Sequence, residues 1–192
     1  MRIKGLFKRD PAAAAAQALY AQVVEQARRP GFYRDLGVPD TLDGRFDMIV
    51  LHAFLVLHRL KAEGEAQGPV GQALFDLMFA DMDASLRELG VGDLSVGKKV
   101  KQMATGFYGR VAAYEEGLAA QGASGGASGG ASGDDALVGA LRRNLYGTTA
   151  ADPGHVAAMA GYVRRQAAAL AGQPVAALTG GAVRFAAPEG VA

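Results

Sequence analysis

RFDMIVLHAFLVLHRLK, Arg45 to Lys61, is the most apolar run in the chain, yet it holds two histidines and has basic residues at both ends. A membrane span needs roughly 20 consecutive apolar residues. Here the unbroken apolar segments are Met48 to Leu51 and Ala53 to Leu57, parted by His52. The run is too short to cross a bilayer and long enough for a helix. At ~100° per residue, Arg45, His52 and Arg59 fall on one stripe, while Asp47, His58 and Lys61 fall on a second, roughly opposite one. Between the stripes lie a broad apolar face (Phe46, Ile49, Val50, Ala53, Val56, Leu57, Leu60) and a narrower one (Met48, Leu51, Leu55). A helix apolar on two sides belongs in the middle of a bundle.

The basic stripe then lies at a seam or leans on carboxylates, because an unpaired buried charge is very costly. Asp76 and Asp83 share a face of the next helical segment, beside an apolar arc of Phe75, Met78, Phe79, Met82, Leu86 and Leu89. These acids are expected to meet the basic stripe or Arg110 as ion pairs that lock the bundle. Asp40, Thr41, Asp43 and Arg45 order the entry to the central helix. His52 and His58 are six residues apart and point different ways, so they do not share a metal, and no metal or cofactor is expected.

Working outward, Asp10-Pro11 places an N-cap acceptor before a proline at the first helical position. The same device recurs at Asp152-Pro153. Helices are predicted from Pro11 to about Arg29, Gly44 to Ala62, Val70 to Leu89, Leu94 to Leu118, Asp135 to Tyr146, and onward from Pro153. Strand character is confined to AVRFA, Ala182 to Ala186, a candidate short terminal extension. Gly122 to Gly133 repeats GASG three times and has nothing to bury, so residues 121–134 read as a flexible loop. The fold class is all-α, a single-domain bundle of about six helices with one long Gly/Ser-rich loop. Residues 1–9 form a basic tail, 10–180 the helical domain, and 181–192 a C-terminal tail.

Composition agrees. The chain has 192 residues, 50% hydrophobic and 20% charged, with a net charge of +1, which suits one ordinary soluble domain. So small a charge gives no general pull toward nucleic acid, and no DNA partner is expected. The absence of cysteine removes disulfides and thiol chemistry and fits a reducing compartment. MRIKGLFKR followed by Asp10-Pro11 makes a poor signal peptide, so a cytoplasmic protein is expected, with a peripheral place at the inner membrane left open.

Gly92 to Lys99, GDLSVGKK, satisfies seven positions of a phosphate-binding loop. The eighth is Lys where Ser or Thr must reach magnesium, and Asp93 would put a carboxylate inside an anion nest. It reads instead as a turn that caps the following helix through Asp93 or Ser95. Lys98, Lys99 and Lys101 decorate that helix and form a candidate patch for an anionic partner such as a ribosome or membrane surface. No G-x-S-x-G, H-E-x-x-H or paired-carboxylate spacing stands out, and no enzyme is expected.

Several ordered blocks carry a resemblance. They are Phe32-Tyr33; GVPDTLDGRFDMIVLH, Gly37 to His52, with Arg59-Leu60; and FADMDASLRELGVGDLSVGKKVKQMATGFYGR, Phe79 to Arg110, with Ala113-Tyr114. Weaker echoes are ALRRNLY, Ala140 to Tyr146, and YVRRQ, Tyr162 to Gln166. Together they resemble the ubiquinol-cytochrome c chaperone family; the GASG insert and the Ala-rich ends depart from it. The resemblance implies a non-catalytic assembly factor for cytochrome b or a related membrane subunit, acting with a small partner protein and near the ribosome. An apolar client calls for large, adaptable side chains, for which Phe75, Met78, Phe79, Met82, Met103 and Phe107 are the candidates. The alternative is a helical pocket protein for a lipid, quinone or haem, with His52 or His58 as axial ligand.

Overall fold

The computed structural model describes residues 10–64, 68–123 and 136–186. Among these, eight helices form and no strand does: α1 (Pro11–Ala27), α2 (Pro30–Arg34), α3 (Leu42–Lys61), α4 (Gly68–Glu88), α5 (Asp93–Ala123), α6 (Ala136–Asn144), α7 (Pro153–Ala171) and α8 (Val175–Thr179). No helix of the described residues is long and apolar enough to cross a membrane. The basic tail and most of the GASG repeat lie outside the described residues.

Side chains start the helices as the sequence requires. Asp10 accepts from Ala12 N at 3.0 Å, Asp152 from Gly154 N at 2.6 Å, and Thr41 from Gly44 N at 3.1 Å, each satisfying an amide that has no partner in its own first turn. The helix after Gly92 opens at Asp93, whose carboxylate meets Arg87 instead of serving as an N-cap. The GDLSVGKK run is therefore mostly helix, with no nest for phosphate. Two helices exceed the six expected. Both are single short turns opened by proline, Pro30 at the start of α2 and Pro174 as the N-cap of α8.

α3 is the central element, packed against α1, α4, α5 and α7. Met48, Val50, Leu51, Leu55 and Val56, drawn from both apolar faces, are entirely or almost entirely buried, and so is Phe54 on the stripe of Asp47. α4 lies across α1 and α5, and α6 bridges α5 and α7. Tyrosine hydroxyls pin distant segments: Tyr20 donates to Asp81 at 2.8 Å and Tyr146 to the Leu36 carbonyl at 2.7 Å.

The segment after α8 corrects an expectation. Residues 182–186 do not pair as a strand. Gly181 turns the chain with φ of 88°, a conformation that favours glycine, and three glutamine amides then hold the extended backbone. Gln22 accepts from Val183 N at 3.0 Å and donates to the Gly181 carbonyl at 2.8 Å. Gln173 closes the same kind of pair on Arg184, and Gln166 on Ala186. Side-chain amides thus take the role of a neighbouring strand, and Val183 is buried beneath them.

Candidate functional site

The two charged stripes of α3 face different neighbours. Arg45 donates to Asp40 at 2.6 Å at the helix entrance. His52 faces α7, and Arg59 donates to the Leu170 and Gln173 carbonyls, both at 3.0 Å, where α7 ends and the helix dipole is negative. The other stripe faces α5: Asp47 lies beside Arg110, while His58 and Lys61 both approach Glu115. The expectation that Asp76 and Asp83 answer the basic stripe or Arg110 is overturned. Asp76 accepts from Gln72 and Asp83 from Arg87, each one turn away on α4 itself. Local partners at four-residue spacing won because they need no second helix to be placed.

His52 is wholly buried, and its surroundings fix its chemistry. Nδ1 is 2.8 Å from the Met48 carbonyl, which can only accept, so Nδ1 carries the proton. Nε2 therefore accepts from the Tyr162 hydroxyl at 2.7 Å, and that oxygen in turn accepts from Gln26 at 2.9 Å. Burial lowers the His52 pKa from its ordinary value to about 4, keeping the ring neutral. Phe32 and Phe185 stand edge-on to it at 5.4 and 5.3 Å between ring centres. With both nitrogens engaged, His52 is not available as an axial ligand. His58 lies against Phe54 and near Glu115, in a half-exposed position.

An open groove of about 610 Å³ runs where α3 begins, α4 ends, α5 passes and α6 finishes. Leu42, Phe46, Met82, Leu86, Leu89 and Met103 supply apolar lining. Asp43, Asp47, Lys99, Arg110 and Arg143 supply charge. Of the six residues proposed from sequence to hold a client, the structure brings only Met82 and Met103 here. Met78 is wholly enclosed, and Phe75, Phe79 and Phe107 pack as a ring cluster between α4 and α5. Leu42 was not singled out from the sequence, and Leu89 was placed in the apolar arc of α4 but not among the client residues; they remain 55% and 60% exposed. Their signal was position: Leu42 opens α3 and Leu89 follows the last residue of α4, each at the extremity of an apolar stripe. Among the three lysines of α5, all exposed, Lys99 lines the groove.

At the groove floor, Arg110 Nη2 stands 2.9 Å from Asp47 Oδ1. The pair is misaligned: Asp47 Oδ1, Arg110 Nε and the Tyr114 hydroxyl are buried without a hydrogen bond. Burial raises the Asp47 pKa to about 7, Arg110 opposing the rise and Asp43 adding to it.

An all-helical body whose surface opens into a half-apolar, half-charged groove has the build of a protein that binds another chain. Residues 34–185 match the ubiquinol-cytochrome C chaperone family, and the chain belongs to it. The crystal structure of the Cbp3 homolog from Brucella abortus superposes with a TM-score of 0.78 at 36% identity, covering 95% of this chain and 94% of that one. Ubiquinol-cytochrome c reductase complex assembly factor 1 from Homo sapiens is 28% identical over 152 residues, 79% of this chain and 47% of the human one. The Xenopus laevis protein of the same name is also 28% identical, with 70% of its length covered. The chain thus spans about half the length of its human relative.

Proposed function

We propose that the protein is a non-catalytic assembly factor that holds newly made cytochrome b, or a similar apolar membrane subunit, while ubiquinol-cytochrome c reductase is built. The groove between α3, α4, α5 and α6 is where the client rests. The observation that carries this reading is the exposure of Leu42 and Leu89 on that groove. Large apolar side chains left in water are favourable to cover, each gaining up to about 1–2 kcal/mol on burial. Met82 and Met103 add unbranched side chains that reshape to fit different apolar surfaces. Family membership supports the assembly context, and the relatives from Homo sapiens and Xenopus laevis are assembly factors of that complex by name. Lys98 and Lys101, exposed on the same helix, offer contact to an anionic membrane or ribosome surface in the cytoplasm.

The test is copurification of the tagged full chain from cells with and without the cytochrome b gene. Cytochrome b is expected in the first preparation, at a level cut severalfold by Leu42→Asp with Leu89→Asp. These exposed positions tolerate charge with little effect on folding. Undiminished recovery with the doubly charged variant would remove the groove from the proposal, and absence of cytochrome b in the wild-type preparation would refute the client.

A further inference from the structure

The groove's floor is not satisfied from within the protein. Arg110 Nε is buried without an acceptor, although a guanidinium offers five donors suited to a planar carboxylate. Its position is constrained by Gly106, one turn earlier on α5, where an added Cβ would come 2.9 Å from Arg110 Nη1. The bare helix surface at Gly106 gives the guanidinium room at the groove. Charge favours an anion as well. Lys99, Arg110 and Arg143 line the groove against Asp43 and Asp47, and among the described residues Lys99 and Arg143 have no carboxylate partner. An apolar wall alongside excludes a fully hydrated polyanion and favours a segment that is apolar over most of its length.

We propose that the groove recognises an apolar client segment carrying an acidic side chain, whose carboxylate is taken by Arg110 beside Asp47. This rests on the groove being the client site. Binding turns the Arg110 guanidinium so that Nε, enclosed in the free protein, meets the incoming carboxylate while Nη2 stays with Asp47. It also places a second anion near Asp47, where Asp43 on α3 already repels; Arg110 and Tyr114 face the same point from α5, and Lys99 and Arg143 share the groove. Asp47 answers by taking up a proton, so binding tightens as pH falls through about 7.

The probes are two fluorescent apolar helical peptides of about four turns, identical except for one central Glu or Gln. Fluorescence anisotropy with the full chain is expected to show the Glu peptide bound about tenfold more tightly at neutral pH, as for a charge-assisted hydrogen bond. Its advantage should grow as pH falls from about 8 to 6, across the titration of Asp47. Arg110→Gln is expected to erase the preference while retaining Gln-peptide binding. Asp47→Asn, which removes the competing carboxylate, should strengthen the Glu peptide and flatten its pH profile. Equal binding of the two peptides to wild type would overturn carboxylate recognition with the chaperone reading intact. Failure of both peptides to bind while cytochrome b still copurifies would overturn this site and leave the client standing. Should Arg110→Gln fail to fold, the Asp47→Asn pH profile decides: an unchanged slope overturns the proposal.

Discussion

Tyr162→Phe removes one oxygen from the middle of a three-residue relay. The hydroxyl donates to His52 Nε2 at 2.7 Å and accepts from Gln26 at 2.9 Å, and all three side chains are buried. Phenylalanine fits the same space, so no large cavity opens and the loss is confined to polar satisfaction. His52 cannot compensate by moving its proton, because Nδ1 must keep donating to the Met48 carbonyl. Two buried groups are left without partners, at about 1–3 kcal/mol each, giving an expected destabilisation of about 2–6 kcal/mol. Against a typical total of about 5–15 kcal/mol, that is a large share. Urea unfolding followed by far-UV circular dichroism would report it as a lower midpoint at unchanged slope. In a double-mutant cycle with His52→Leu, the two losses should fall short of additive by about 1 kcal/mol or more. A loss below about 1 kcal/mol for Tyr162→Phe would refute the relay.

Acid should expose an opposition between His52 and Asp47. The His52 pKa falls from 6.5 to about 4 on folding, so the unfolded chain binds its proton first and stability drops as pH is lowered through that window. The Asp47 pKa rises from 3.8 to about 7, so the folded chain binds that proton first and stability is gained over nearly the same window. Each slope is up to about 1.4 kcal/mol per pH unit, and the two contributions oppose. Asp47→Asn should unmask His52 and lose about 3 kcal/mol between the two His52 values, measured as the urea midpoint against pH. Gln166→Ala breaks both bonds to Ala186, at about 1 kcal/mol each. It should speed amide exchange at Ala186 while leaving Val183, held by Gln22, protected.

The long helices were legible because their signals are local. Asp10-Pro11 and Asp152-Pro153 announce starts, and the periodicity of Phe46 to Leu60 names the faces that are buried. α2 and α8 escaped because five residues hold little more than one turn, too short for periodicity to register, and Pro30 and Pro174 were their only marks. The charges of α3 were visible, but their partners were not. Tyr162, Leu170 and Glu115 lie 54 or more residues from the groups they meet, and nothing in the spacing of α3 points to them. The groove was partly legible through Met82 and Met103; Phe75, Phe79 and Phe107 share the same periodicity and went into core contacts. Periodicity finds an apolar face without telling which part a neighbouring helix covers.

The glutamine clasp has a consequence for how freely residues 182–186 can vary. Gln22, Gln166 and Gln173 grip main-chain atoms alone, so they are indifferent to which side chains the gripped residues carry. Ala182, Arg184 and Ala186 point to solvent, while Val183 is buried and Phe185 stands over His52. A saturation library across these five codons should therefore return two intolerant columns separated by permissive ones. Proline would be the shared exception at 182, 183, 184 and 186, because each of those amides donates a bond that a pyrrolidine ring lacks.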